Sequence, residues 1–241
     1  DFGFGKLNQA DFSEAELARA NFGNSEFLNT AFNSAMAAGI ILHDTLFIDC
    51  TLHYADMRGA DLSSASFKDS DLSNIILSSS TLNSANFTGS TSLSQASLSG
   101  ATALEATFDD IDLSKANLNS LDATGATLRG ANLDKASARR AIFDGADLQF
   151  INAQQVDFYK ASFREALIYS ANFTDATLDA AYFHKSTNII KSESDPTNRV
   201  SAANFNRASM LGTSFDEALL ANSDFSFAVL SGSNMRRTDL R

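Results

Sequence analysis

The sequence predicts a tandem-repeat solenoid, on three observations. From Ala126 to Ala146, and again from Ala161 to Ala181, a small residue recurs every five positions, as in Ala-Thr-Leu-Arg-Gly, Ala-Asn-Leu-Asp-Lys and Ala-Asp-Leu-Gln-Phe. A Leu or Phe stands two places after most of these small residues. The same beat extends over nearly the whole chain. A period of five fits neither the 3.6 of a helix nor the 2 of a strand. A fixed repeat of this kind points to stacked units rather than a mixed core.

The units Ala60-Asp61-Leu62, Ala116-Asn117-Leu118, Ala131-Asn132-Leu133 and Ala146-Asp147-Leu148 carry the pattern Ala-(Asn/Asp)-Leu-x-x. It resembles the tandem unit of the pentapeptide-repeat family. The resemblance implies an all-β fold, a right-handed quadrilateral parallel β-helix in which four units make one square coil. The central Leu or Phe and the small residue two before it would point inward. About 45 units follow from the count, hence about 11 coils and a rod roughly 50 Å long at strand spacing.

The first register centres on Phe2, Leu7, Phe12 and every fifth residue through Phe87, with Ala37 the weakest centre. If four units close a coil, residues 20 apart stack, and Phe27, Phe47, Phe67 and Phe87 form a column of touching rings. Ile40 and Ile75 are large for the small slot and predict local bulging. Near 88–92 the beat slips by one residue, since Phe87 to Leu93 is six rather than five. One extra residue at a corner is read as a bulge within a single domain over 1–241, and it places Phe108 beneath Phe87. In the second register Ala103 and Ala123 are undersized centres on one face, so the core there is expected to narrow or hold a small void, unless Leu104 or Leu121 swings in to compensate. The beat stops after Phe183 and resumes at Ala203-Asn204-Phe205. Residues 184–202, with the only proline at Pro196, therefore read as a loop insertion, and a long insertion in a solenoid is often functional.

The net charge of −11 is unevenly spread. Residues 1–115 hold 15 acidic and 5 basic side chains, giving −10, while 116–241 hold 14 and 13, giving −1. An acidic chain excludes direct nucleic-acid binding as a first reading. No apolar run is long enough for a membrane span, so none is expected. Cys50 is the only cysteine, which excludes an internal disulfide, and it falls on an inward small-residue slot. The chain opens at Asp1 rather than Met, which reads as a processed or trimmed form.

The motifs of metalloproteases, zinc sites, serine hydrolases and phosphate loops are absent from the sequence, so no enzyme, cofactor or metal is expected. The Asp or Asn before each centre suits a corner turn. Stacked outward acids at Asp49, Asp69 and Asp110 read as a solvated ladder before a cation site. Asp109 with Arg129, and Asp144 with Arg164, are 20 apart and predict surface ion pairs. The candidate partner-binding residues are Lys185, Lys191, Pro196 and Arg199 of the insertion, Arg139, Arg140 and Lys160 as a basic patch, and Asp49, Asp69 and Asp110.

The function expected is a non-enzymatic scaffold that binds a protein partner through flat faces and the 184–201 loop. Two alternatives come from the resemblance and the bare repeat ends. One is a DNA mimic binding DNA gyrase or topoisomerase, as quinolone-resistance members of the family do. The other is an accessory subunit of a larger assembly, or an effector fragment, with the rod ends covered by a partner or a second copy. The compartments in keeping with these are the bacterial cytoplasm and a cyanobacterial or plastid compartment, the thylakoid lumen included.

Overall fold

The computed structural model describes residues 2–188 and 202–241. Their backbone winds as a right-handed, four-walled parallel β-helix, with no helix among the described residues. Four strands, β1 (Glu26–Leu28), β2 (Leu46–Ile48), β3 (Ser66–Lys68) and β4 (Asn86–Thr88), form a parallel sheet in sequence order. Phe27 pairs with Phe47, Phe47 with Phe67 and Phe67 with Phe87. The other walls are held by single parallel bridges at the same spacing, such as Asp11 to Ala31 to Thr51 to Asp71.

The walls take their names from their central residues. The first carries Phe22, Leu42 and Leu62, the second Phe27 and Phe47, the third Phe32 and Leu52, and the fourth Ala37 and Met57. All of these are fully buried. Small residues two places earlier fit beside them at the corner, as Ala35, Ala55 and Ala65 do.

The corners explain the five-residue beat. At most of them the central carbonyl accepts a bond from the amide three residues on, as Phe143 does from Ala146 at 3.1 Å. The residue two past the centre then has positive φ, 61° at Glu14 and 58° at Arg140, the signature of a type II turn. Holding a side-chain-bearing residue there costs roughly 1–2 kcal/mol. The repeated ladder bonds and buried rings offset that cost.

Aromatic rings stack along parts of three walls. Ring centroids of Phe27, Phe47, Phe67, Phe87 and Phe108 follow one another at 4.7, 4.6, 5.0 and 5.0 Å. The first wall gains Phe143, Phe163, Phe183 and Phe215 at 5.4, 4.6 and 5.0 Å. The third gains Phe173, Phe205 and Phe225. Bridge spacing rises from 20 at Asp61 to Thr81 to 21 at Asp71 to Ser92. The added residue sits at the corner after Thr88, where Gly89 has φ 65°.

Several expectations need correction. The repeat does not stop at Phe183. Thr187 bridges Leu167 above and Leu219 below, and Asn188 occupies a fully buried central position. Residues 184–188 therefore belong to the wall, and the interruption begins later than expected. Ile40 and Ile75 do not disturb the ladder, since Asp61 N still donates to Ile40 O at 3.0 Å and Ser97 N to Ile75 O at 2.9 Å. Beside Ala123 it is Leu121 that is buried, 2% exposed, while Leu104 is 37% exposed. Ile151 before Ala153 repeats the exchange, a large residue in the small slot next to a small centre.

Across the interruption the bridge partners are 32 apart, Tyr182 with Ser214, instead of 20. The longer excursion leaves the rings in contact, Phe173 on Phe205 at 5.1 Å. Deleting 191–202 restores the 20-residue spacing. In the shortened chain position 190 falls two past the centre Asn188, so Ile190→Gly is included to avoid a β-branched residue at a left-handed corner. The melting temperature of this variant is expected to stay within a few degrees of wild type. A loss of ten degrees or more in a thermal melt would show that the insertion carries part of the core.

Candidate interaction surface

Many outward Asp and Asn side chains are committed to the coil itself. The Asp or Asn before a centre accepts from the amide two residues on, as Asp112 does from Ser114 at 3.0 Å and Asn172 from Thr174 at 3.1 Å. These side chains hold the corner, as their spacing suggested. The Asp or Asn after a centre reaches the next coil instead. Asp109 accepts from the Arg129 amide at 2.8 Å, Asp144 from the Arg164 amide at 3.0 Å, and Asn119 from the Arg139 amide at 2.8 Å.

The two expected ion pairs are therefore backbone bonds. The Arg129 guanidinium pairs with Asp147 at 3.2 Å, and that of Arg164 lies over the Tyr182 ring at 5.7 Å. Other exposed pairs set local titration. Arg207 grips Asp175 through two bonds of 2.6 Å, and Arg58 grips Asp56. Both carboxyls are held below the usual range, first by these side-chain hydrogen bonds.

Asp49, Asp69 and Asp110 do share one corner, following the second wall, and all three have positive φ. The Asp69 carboxylate folds onto the next coil, accepting from the Ser90 amide at 2.8 Å. It leaves no room there for a side chain: a Cβ on Gly89 would stand 2.2 Å from Asp69 Oδ1. Asp110 presses likewise on Gly130, at 2.3 Å from a Cβ there. No group of three or more potential metal ligands comes together among the described residues.

The histidines are surface residues. His43 Nδ1 lies 3.1 Å from Asp44, and His184 Nδ1 3.1 Å from the Asp216 carbonyl. His53 forms an arrangement the sequence reading passed over. Its Nδ1 is 2.7 Å from Ser73 Oγ and its Nε2 3.2 Å from Asp71 Oδ2. The signal was the 20-residue interval from His53 to Ser73. The nearby amides of Tyr54 and Asn74 are used in ladder bonds, and that of Ser73 donates to Asp71. None of these three amides is left to serve as an oxyanion donor beside the Ser-His-Asp contact. Cys50 is buried, its thiol donates to the Phe27 and Ile48 carbonyls, and burial pushes it up, away from a reactive thiolate.

Of the ten candidate residues, Arg139, Arg140 and Lys160 come together, at the edge between the fourth and first walls. The Arg139 guanidinium bonds Asp157 at 2.7 Å and lies over the Tyr159 ring at 4.7 Å. Lys160 Nζ is 5.1 Å from the centroid of the same ring. Arg140 and Lys160 have no carboxylate within pairing distance among the described residues. Lys185 stands on a different edge, after the first wall. Lys191, Pro196 and Arg199 lie outside the described residues.

The family model for pentapeptide repeats matches in 8 copies, over 1–27, 25–63, 60–91, 91–130, 124–159 and 201–241. No curated protein matches at a significant level. Among solved structures, the chain is similar to HetL, a pentapeptide repeat protein involved in heterocyst differentiation regulation from the cyanobacterium Nostoc sp. strain PCC 7120. Identity there is 21% over 99% of this chain and 90% of that one, with a TM-score of 0.40. It is also similar to QnrB1, a plasmid-mediated fluoroquinolone resistance protein, at 19% over 98% and 89%, TM-score 0.38. A third is a pentapeptide repeat protein of the Arabidopsis thaliana thylakoid lumen, at 28% over 47% and 71%, TM-score 0.28.

Proposed function

The chain belongs to the pentapeptide repeat family, and we propose that it is a non-enzymatic scaffold that binds a protein partner through its walls and edges. Proteins of this family are generally structural scaffolds without enzymatic activity. One observation carries the reading for this chain. Many outward Asp and Asn side chains hold the coil, while Arg139, Arg140, Tyr159 and Lys160 form one cationic and aromatic cluster on an acidic chain. A stiff wall presents such a cluster at little entropic cost. The insertion, with Lys191, Pro196 and Arg199, is a second contact in this proposal.

Affinity capture with the tagged chain tests it. The extracts to use are bacterial cytoplasm and cyanobacterial or plastid fractions, the thylakoid lumen included. One or a few proteins are expected to co-purify in near-stoichiometric amount and to be released by salt. Capture of nothing above a scrambled-surface control contradicts the scaffold. Loss of capture on deleting 191–202 supports the insertion as a contact, and unchanged capture removes it. Native mass measurement of the captured material covers the accessory-subunit reading, which a lone species with the mass of a single chain contradicts.

The concentration of charge in 1–115, at −10, supports a second reading, a DNA mimic acting on DNA gyrase or topoisomerase. A supercoiling assay with neither inhibition nor protection by the chain would remove it.

A further inference from the structure

We propose that the edge between the fourth and first walls is a docking site for an acidic, extended peptide segment, carried by Arg140 and Lys160. The proposal deepens the scaffold reading and names the chemistry of the partner at one place on it.

At its left-handed corner position this edge carries small residues for most of its length, with Arg19 near its start the other long side chain. At the left-handed corner position stand Ser79, Gly100 and Ser120 on one side, and Ala180, Gly212 and Gly232 on the other. Between them, in consecutive coils, stand Arg140 with φ 58° and Lys160 with φ 60°. Two long cations thus rise from a trimmed edge, about 4.8 Å apart at their bases. Neither pairs with a carboxylate among the described residues. Their surroundings are fixed: Asp157 anchors Arg139 against Tyr159, and Lys160 lies against the same ring.

At the foot of Arg140 a depression of about 300 Å³ is lined by Asn119, Ser120, Arg139 and Arg140. It has room for a carboxylate side chain beside the guanidinium. Ile142, 37% exposed on the adjoining first wall, offers an apolar contact. The small residues above and below let an incoming backbone approach closely.

The extent selects the ligand. Two coils span about 10 Å, the length of three extended residues. That suits two or three side-chain carboxylates. It neutralises too few phosphates to hold a polynucleotide on a chain of net charge −11.

The test is fluorescence anisotropy with a labelled Glu-rich dodecapeptide at low salt, against an uncharged Gln-rich dodecapeptide and a single-stranded oligothymidylate. Wild type is expected to bind the Glu-rich peptide alone. Arg140→Ser with Lys160→Ser, serine being native to this edge at Ser79 and Ser120, should weaken that binding by about tenfold. Arg207→Ser, which removes a cation elsewhere, should leave it unchanged. If the serine pair lowers the melting temperature, Arg140→Gln with Lys160→Gln removes the charge and keeps the stems. Absent peptide binding by wild type, equal binding by the double variant, or tighter binding of the oligothymidylate each overturns the proposal. Capture of a partner by the wild-type chain has its own readout, so the scaffold reading stands or falls separately.

Discussion

Replacing Phe67 with alanine is expected to lower the unfolding free energy by about 3–5 kcal/mol. Phe67 is fully buried, in the middle of the second wall. Its ring stacks on Phe47 at 4.6 Å and 10°, and on Phe87 at 5.0 Å and 4°. Truncation removes both contacts and leaves a ring-sized gap. The gap cannot close, because β2, β3 and β4 are fixed in register by their own backbone bonds. A coil touches only its neighbours, so the loss falls on one interface rather than spreading through a shared core. Denaturant titration reads it as a lower midpoint. A change below about 1 kcal/mol would mean that the rings are not packed in a column.

Leu121→Ala is expected to cost about 3 kcal/mol, and Leu104→Ala less than about 0.5 kcal/mol. The two leucines are equivalent in composition and near each other in sequence. Leu121 occupies a small-residue slot, 2% exposed, beside the undersized centre Ala123. Its loss leaves two alanines where the wall needs volume. Leu104 projects from a corner at 37% exposure. Equal costs for the two substitutions would contradict this packing.

The columns were legible because a period of five, with inward residues at fixed places, leaves little choice of register. Phe108 under Phe87 followed from counting one extra residue at a corner. Asn188 was missed because its unit, Ser186-Thr187-Asn188, has a polar centre. The interval of five from Phe183 was the available signal. Asn188 Nδ2 donates to the Ala221 carbonyl at 2.7 Å and to Ser223 Oγ at 3.1 Å, while its Oδ1 is buried without a partner among the described residues. The carboxylates at Asp109 and Asp144 were read as partners for arginine side chains. Corner geometry instead turns them to the amides of the next coil, which spacing alone does not reveal. At the candidate site, proximity of Arg139, Arg140 and Lys160 was readable from the 20-residue repeat. The grip of Asp157 and the role of Tyr159 were not, because both depend on where the Arg139 side chain turns.

Disulfide trapping tests the coil length most directly. In a Cys50→Ser background, Ser97→Cys is paired with Asn117→Cys, its bridge partner in the next coil of the fourth wall. As a control it is paired with Asp112→Cys, which is one unit nearer in sequence but stands on the third wall, where it bridges Ser92 and Asn132. Bridge partners at strand spacing lie within the Cα separation of about 4.4–6.8 Å that a disulfide spans. Under mild oxidation the pair at 97 and 117 should close within the chain, and the pair at 97 and 112 should remain reduced. Closure at 97 and 112, with 97 and 117 left open, would contradict a coil of four units.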